Sequence, residues 1–128
     1  MSISPIDRSA QSATVSEFLE RFRLTIEFNR CDVIRGQVDQ DLAALNLIRK
    51  QAFDFIKRLT IANYCSGPVP DDTDNSKAVW IFGIELDGRE IYVKLRLAES
   101  RKNEIPRGSI WSFHPAKHPM KYPLREGP

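Results

Sequence analysis

Five side chains in the last third of the chain have the types and the spacing to act on a phosphodiester. Tyr92, Lys94 and Arg96 alternate with Ile91, Val93, Leu95 and Leu97. Extended backbone sends successive side chains to opposite faces. Residues 90–97 therefore make a strand with one oily face and one face of a phenol and two cations. Ser112 and His114 share parity in a second run, 109–114, together with Ile110, while Trp111 and Phe113 point the other way and are expected to cover the core. Two such strands side by side form a platform that can hold a phosphate and move protons around it. Arg96 can grip a phosphate with two parallel N–H bonds. Lys94 can neutralise charge that develops on a phosphorane. An imidazole such as that of His114 exchanges protons near neutral pH, and Tyr92 supplies a phenol. His118 follows Pro115 and reads as a surface histidine.

The elements that must position these groups are readable in outline. Val15, Phe18, Leu19, Phe22 and Ile26 recur at steps of three and four, which predicts an amphipathic helix capped by Thr14 or Ser16. The alternation of residues 24–28 fits a short strand equally well. Residues 1–14 read as a flexible N-terminal tail, and the polar residues 29–40 as a connection. Asp41 is a suitable N-cap for a short helical turn. A further helix over 49–59 turns Ala52, Phe53, Ile56 and Leu59 inward. Residues 65–76 collect Gly, Pro, Asp and Asn and predict a loop, with Asp71, Asp72 and Asp74 in solvent. Strands follow over 78–86, 90–97 and 109–114. Asp87-Gly88 between the first two is a type I′ hairpin turn, and Trp80 reads as a packing residue. Pro115 ends regular pairing, and the Pro-rich tail 115–128 is expected to pack on the sheet through Met120, Tyr122 and Leu124. Helices followed by a meander predict an α+β fold: two to three N-terminal helices on a small antiparallel sheet, in a single domain over 15–128.

Composition narrows the class. The chain has 128 residues, 41% hydrophobic and 28% charged, as expected for one globular domain with its own core. The net charge of +2 is unevenly spread. Residues 89–125 hold nine Lys and Arg against three Glu, and the remainder ten against fourteen acidic residues. A basic C-terminal third suits a polyanion, or is simply a solvated basic face. Cys31 and Cys65 form no metal-ligand pattern and suit reduced thiols of a cytoplasmic protein. No apolar run is long enough to span a bilayer, and residues 1–16 lack the plan of a secretory signal.

The order of short motifs resembles a known family. Leu59-Thr60-Ile61-Ala62-Asn63-Tyr64 closes a helix, Trp80 opens a strand, Ile91-Tyr92-Val93-Lys94-Leu95 forms the next, and Ser112-Phe113-His114 ends the last. With Leu45-Asn46-Leu47 in place of a Leu-Gly-Leu step, this order is similar to that of MqsR-type toxins of bacterial toxin–antitoxin pairs, within the RelE-like ribonucleases. The likeness covers residues 15–114. It implies a RelE-like fold and a cytoplasmic endoribonuclease that cuts mRNA without metal or other cofactor. It also implies silencing by a cognate antitoxin protein, with or without the ribosome as a further partner. Tyr92 and His114 match the family's catalytic positions, with His114 where the family has Lys. Ser66 and Ile81 stand where the family has a Lys and a Gln. On this reading Tyr92 and His114 transfer protons, Lys94 and Arg96 hold phosphate, and Ser112 contributes to RNA binding. The alternatives are a non-catalytic RNA-binding or protein-interaction module of the same shape, or an accessory protein of a phage or mobile element that binds through its Pro-rich tail.

Overall fold

The computed structural model describes residues 5–34, 36–99 and 104–125. Residues 1–4 of the expected N-terminal tail, 126–128 of the Pro-rich tail, and Arg101 and Lys102 of the basic third lie outside the described residues. The chain runs α1 (Pro5–Glu27), β1 (Cys31–Val33), α2 (Gly36–Ala44), α3 (Arg49–Lys57), a 3-10 turn (Ile61–Asn63), β2 (Tyr64–Pro70), β3 (Ala78–Leu86), β4 (Arg89–Ala98) and β5 (Arg107–Pro115). The result is an α+β fold of N-terminal helices on a five-stranded sheet in the order β1-β5-β4-β3-β2.

The sheet is mixed rather than antiparallel, because β1 pairs parallel with β5 through Cys31–Gly108, Asp32–Ser109 and Val33–Ile110. Residues 29–40, expected as a connection, supply both β1 and the start of α2. Helix α1 also begins at Pro5, so residues 5–14 are helical where a flexible tail was expected. Proline is well suited to a first helical turn, which needs no N–H from it. This first part of α1 offers few apolar side chains, so the apolar period alone does not reveal it.

Asn29 decides where α1 stops. Its φ of 56° is left-handed, the Arg30 N–H donates to the Thr25 carbonyl at 2.6 Å, and its own N–H donates to Ile26. This is a Schellman ending, which satisfies carbonyls that a helix otherwise leaves open. It rules out the short strand over 24–28. Asn46, at φ 59°, closes α2 the same way, with the Leu47 N–H on the Leu42 carbonyl. Asp41 therefore lies within α2 rather than capping it, and Val38 and Leu42 are its buried residues.

Val15, Phe18, Leu19 and Phe22 of α1 and Ala52 and Ile56 of α3 pack against Phe82, Ile91, Val93, Leu95, Ile110 and Phe113 of the sheet. Phe18 stacks on Trp80 at 4.2 Å between ring centroids, so Trp80 is a packing residue as expected. At Gly108 a Cβ would run into the Thr25 hydroxyl, so glycine is what lets α1 come close to β5. Asp87 and Gly88 both have positive φ, as a type I′ hairpin turn requires. The hairpin sets the register of β3 against β4 from Leu86–Arg89 to Trp80–Leu95.

Candidate active site

The sheet face opposite α1 and α3 carries the polar groups in cross-strand rows. Gly83, Tyr92 and His114 form one row and Ile81, Lys94 and Ser112 the next. The Tyr92 and His114 rings stack, with centroids 5.2 Å apart and planes 15° from parallel. The His114 Nδ1 lies 2.8 Å from the Pro115 carbonyl oxygen. A carbonyl only accepts, so Nδ1 carries the proton, and in the neutral form of the ring the lone pair is on Nε2. Burial, followed by the carboxylates of Asp72 and Asp71 and the Cys65 thiol, pushes the Tyr92 phenol above its ordinary pKa. The pair therefore offers a proton acceptor, Nε2, beside a phenol that keeps its proton.

A bulge in β5 separates Ser112 and His114 on this face from Ile110 in the core. Lys94 pairs with Ser112 but Leu95 pairs with Ile110, which leaves Trp111 as the extra residue. Strict alternation placed Ile110 with Ser112 and His114 and sent Trp111 to the core. In the structure Ile110 is fully buried in the core cluster, and Trp111 is also buried but outside that cluster, donating its indole N–H to Ser109 Oγ at 2.9 Å.

Lys94 is held by a partner. It is only 8% exposed, and its Nζ donates to Asp71 Oδ1 at 2.8 Å. Asp71, 2% exposed, also accepts on Oδ2 from the Thr73 hydroxyl and from the Thr73 and Asp74 N–H groups. Burial alone would raise the carboxyl pKa, but the hydrogen bonds from Lys94 and Thr73 outweigh it and hold the pKa well below the usual range. Asp71 is thus a buried anchor rather than one of three solvated loop carboxylates. Residues 64–70 just before it form edge strand β2 rather than loop, pairing with β3 through a broken register.

The chain after Pro115 folds back over this face. The Tyr122 hydroxyl donates to Glu90 Oε2 at 2.7 Å, the Met120 N–H donates to Glu90 Oε1, and Leu124 is buried in the core cluster. Tyr122 lies over Gly83, where a Cβ would overlap its hydroxyl and come within 2.9 Å of the ring. The tail does pack through Tyr122 and Leu124, whereas Met120 helps to wall a cleft of about 480 Å³. Tyr92, Lys94, Ser112 and His114 line that cleft together with Lys117, His118 and Lys121 of the tail. Gly83→Ala is expected to destabilise the fold by about 1–3 kcal/mol through overpacking. The same change made in a Tyr122→Ala background should cost far less, which paired thermal unfolding curves would show.

The structure thus brings together four of the five expected residues. Arg96 is not among the residues lining the cleft, and its Nη1 donates to the Ala78 carbonyl at the neighbouring strand. His118, which reads from sequence as a surface residue, joins the cleft with Lys117 and Lys121. The sequence signal for these three is the Pro115–Pro119 spacing and Tyr122, but their approach to β4 depends on the bare backbone of Gly83. Cys65 also lines the cleft, but burial pushes its thiol up to about 11, so it is a poor nucleophile at neutral pH. Among the described residues no cluster of three His, Cys, Asp or Glu could hold a metal ion. No described helix is long and apolar enough to cross a membrane.

No family model, curated protein or solved structure matches this chain.

Proposed function

We propose that the chain is a metal-independent endoribonuclease with a RelE-like fold, acting in the cytoplasm on mRNA as the toxin of a toxin–antitoxin pair. The observation that carries the catalytic part is the Tyr92–His114 ring stack in a cleft walled by Lys117, His118 and Lys121. His114 Nε2 takes the proton from a ribose 2′-OH, which attacks the adjacent phosphorus. The Tyr92 phenol donates to the phosphate or to the departing 5′-oxygen. The tail cations, with a further N–H of Lys94, stabilise the negative charge of the phosphorane. Products are a 2′,3′-cyclic phosphate and a free 5′-hydroxyl, so no water enters the first step. The toxin role, the cognate antitoxin and a part for the ribosome rest on the MqsR-type order of Tyr92, Lys94 and Ser112-Phe113-His114.

The buried Lys94–Asp71 pair favours a second reading, RNA binding without cleavage, because it neutralises a cation that a phosphorane would use. Incubation with RNA in excess EDTA separates the two. Cleavage that leaves cyclic phosphate ends is expected. Intact RNA at protein concentrations that saturate binding would establish the non-catalytic reading instead. Induced expression should arrest growth, and His114→Ala should relieve the arrest.

A further inference from the structure

A second cavity, of about 400 Å³, adjoins the cleft and shares Ser112, His114 and Lys117 with it. Its outer wall is α2, which packs against β5 and contributes Gln37, Val38 and Asp41. The imidazole therefore stands at a junction between two hollows rather than at the end of one. The two differ in chemistry. The first adds Lys94, His118 and Lys121 to the shared lysine against one carboxylate, Asp72, a cationic excess that suits phosphate. In the second, the Gln37 Nε2 donates to Asp41 Oδ1 at 2.9 Å. That bond orients the carboxylate and leaves Oδ2 and the Gln37 carbonyl oxygen, both acceptors, available to a ligand.

We propose that this second cavity is a nucleobase subsite, in which Asp41, oriented by Gln37, selects a base that carries an exocyclic amine. The inference rests on the ribonucleotide-binding reading of the neighbouring cleft and names what that site reads. A carboxylate accepts hydrogen bonds and cannot donate. It pairs with the 4-amino group of cytosine and repels the 4-oxo group that uracil places at the same point. Lys117, common to both cavities, marks the seat of the phosphate beside that base. Asp39 lies on the same helix but is tied to Arg49 through bonds of 2.8 and 2.6 Å, and it does not line the cavity.

The test uses 2′-O-methyl hexamers of cytidine and of uridine, which cannot be cut because the attacking hydroxyl is blocked. Their binding to the full chain is read by fluorescence anisotropy. The cytidine oligomer is expected to bind about tenfold more tightly. Asp41→Asn should shrink the preference to less than about twofold, and Asp39→Asn should leave it intact. Equal binding of the two oligomers, or a preference that survives Asp41→Asn, would overturn the subsite. Unmodified RNA separates this outcome from failure of the catalytic reading. Uncut RNA with an Asp41-dependent cytosine preference sustains the subsite and removes the nuclease. Cleavage with no such preference does the reverse.

Discussion

Asp71→Ala is expected to destabilise the protein by about 3–5 kcal/mol, as loss of one partner of a buried ion pair does. The substitution removes the carboxylate beside the Lys94 ammonium, which lies 2.8 Å away with its side chain only 10% exposed. It also removes the acceptor of the Thr73 hydroxyl and of the Thr73 and Asp74 N–H groups. Lys94→Met should cost less, because Asp71 keeps those three hydrogen bonds. Asp72→Ala, at an exposed position one residue along, should change stability by no more than about 0.5 kcal/mol. Urea unfolding of the three variants checks the ranking, and an Asp71→Ala cost under about 1 kcal/mol would refute it. The pH dependence has a definite sign. The Asp71 carboxyl is held below its ordinary pKa of about 3.9, so the unfolded chain takes up its proton first on acidification. The stabilisation is complete above that value and is lost progressively as pH falls toward the folded-state pKa. Part of the acid limb of the stability curve should therefore vanish in Asp71→Ala.

His114→Ala should lower kcat for RNA cleavage by about 10²–10⁴, the usual worth of a positioned general base. RNA binding should change little. The His114 Nδ1 is engaged by the Pro115 carbonyl, and Nε2 is the group proposed to take the 2′-OH proton. Tyr92→Phe keeps the ring that stacks on His114 and removes only the hydroxyl, so it isolates proton donation from packing. Its loss should appear in kcat with the fold unchanged. Lys94 variants answer a different question. The lysine is bound into the fold through Asp71, so their activity must be compared at equal folded fraction. If His114→Ala and Tyr92→Phe both cut RNA at the parent rate, the assignment of the site fails even where the fold is right.

Several parts of this arrangement are carried by local sequence. The alternation of residues 90–97 places Ile91, Val93 and Leu95 in the core and Tyr92 and Lys94 on the opposite face. Asp87-Gly88 specifies its turn because both positions need positive φ. The apolar period from Val15 to Phe22 marks the buried stripe of α1, since a helix returns to one face every three to four residues. Other parts escape local reading. Residues 31–33 are too short to show a period, and their parallel pairing depends on β5, far along the chain. The bulge at Trp111 reverses the parity of Ile110, and nothing in 109–114 announces it. Lys94 and Asp71 are 23 residues apart and meet only because a segment after β2 returns to the sheet.

The basic platform of Tyr92, Lys94, Arg96, Ser112 and His114 was therefore determined by the sequence as a set of residue types on two strands. Alternation and turn chemistry are local, and local rules suffice for them. Tertiary structure alone decided which of these groups remain available. It matched the charge of Lys94 with Asp71, left Arg96 at the Ala78 carbonyl, and brought Lys117, His118 and Lys121 to the cleft by seating Tyr122 on Gly83. The physical reason is the same in each case. A charge or a ring takes its role from the partner that burial places against it, and these partners lie far apart in the chain.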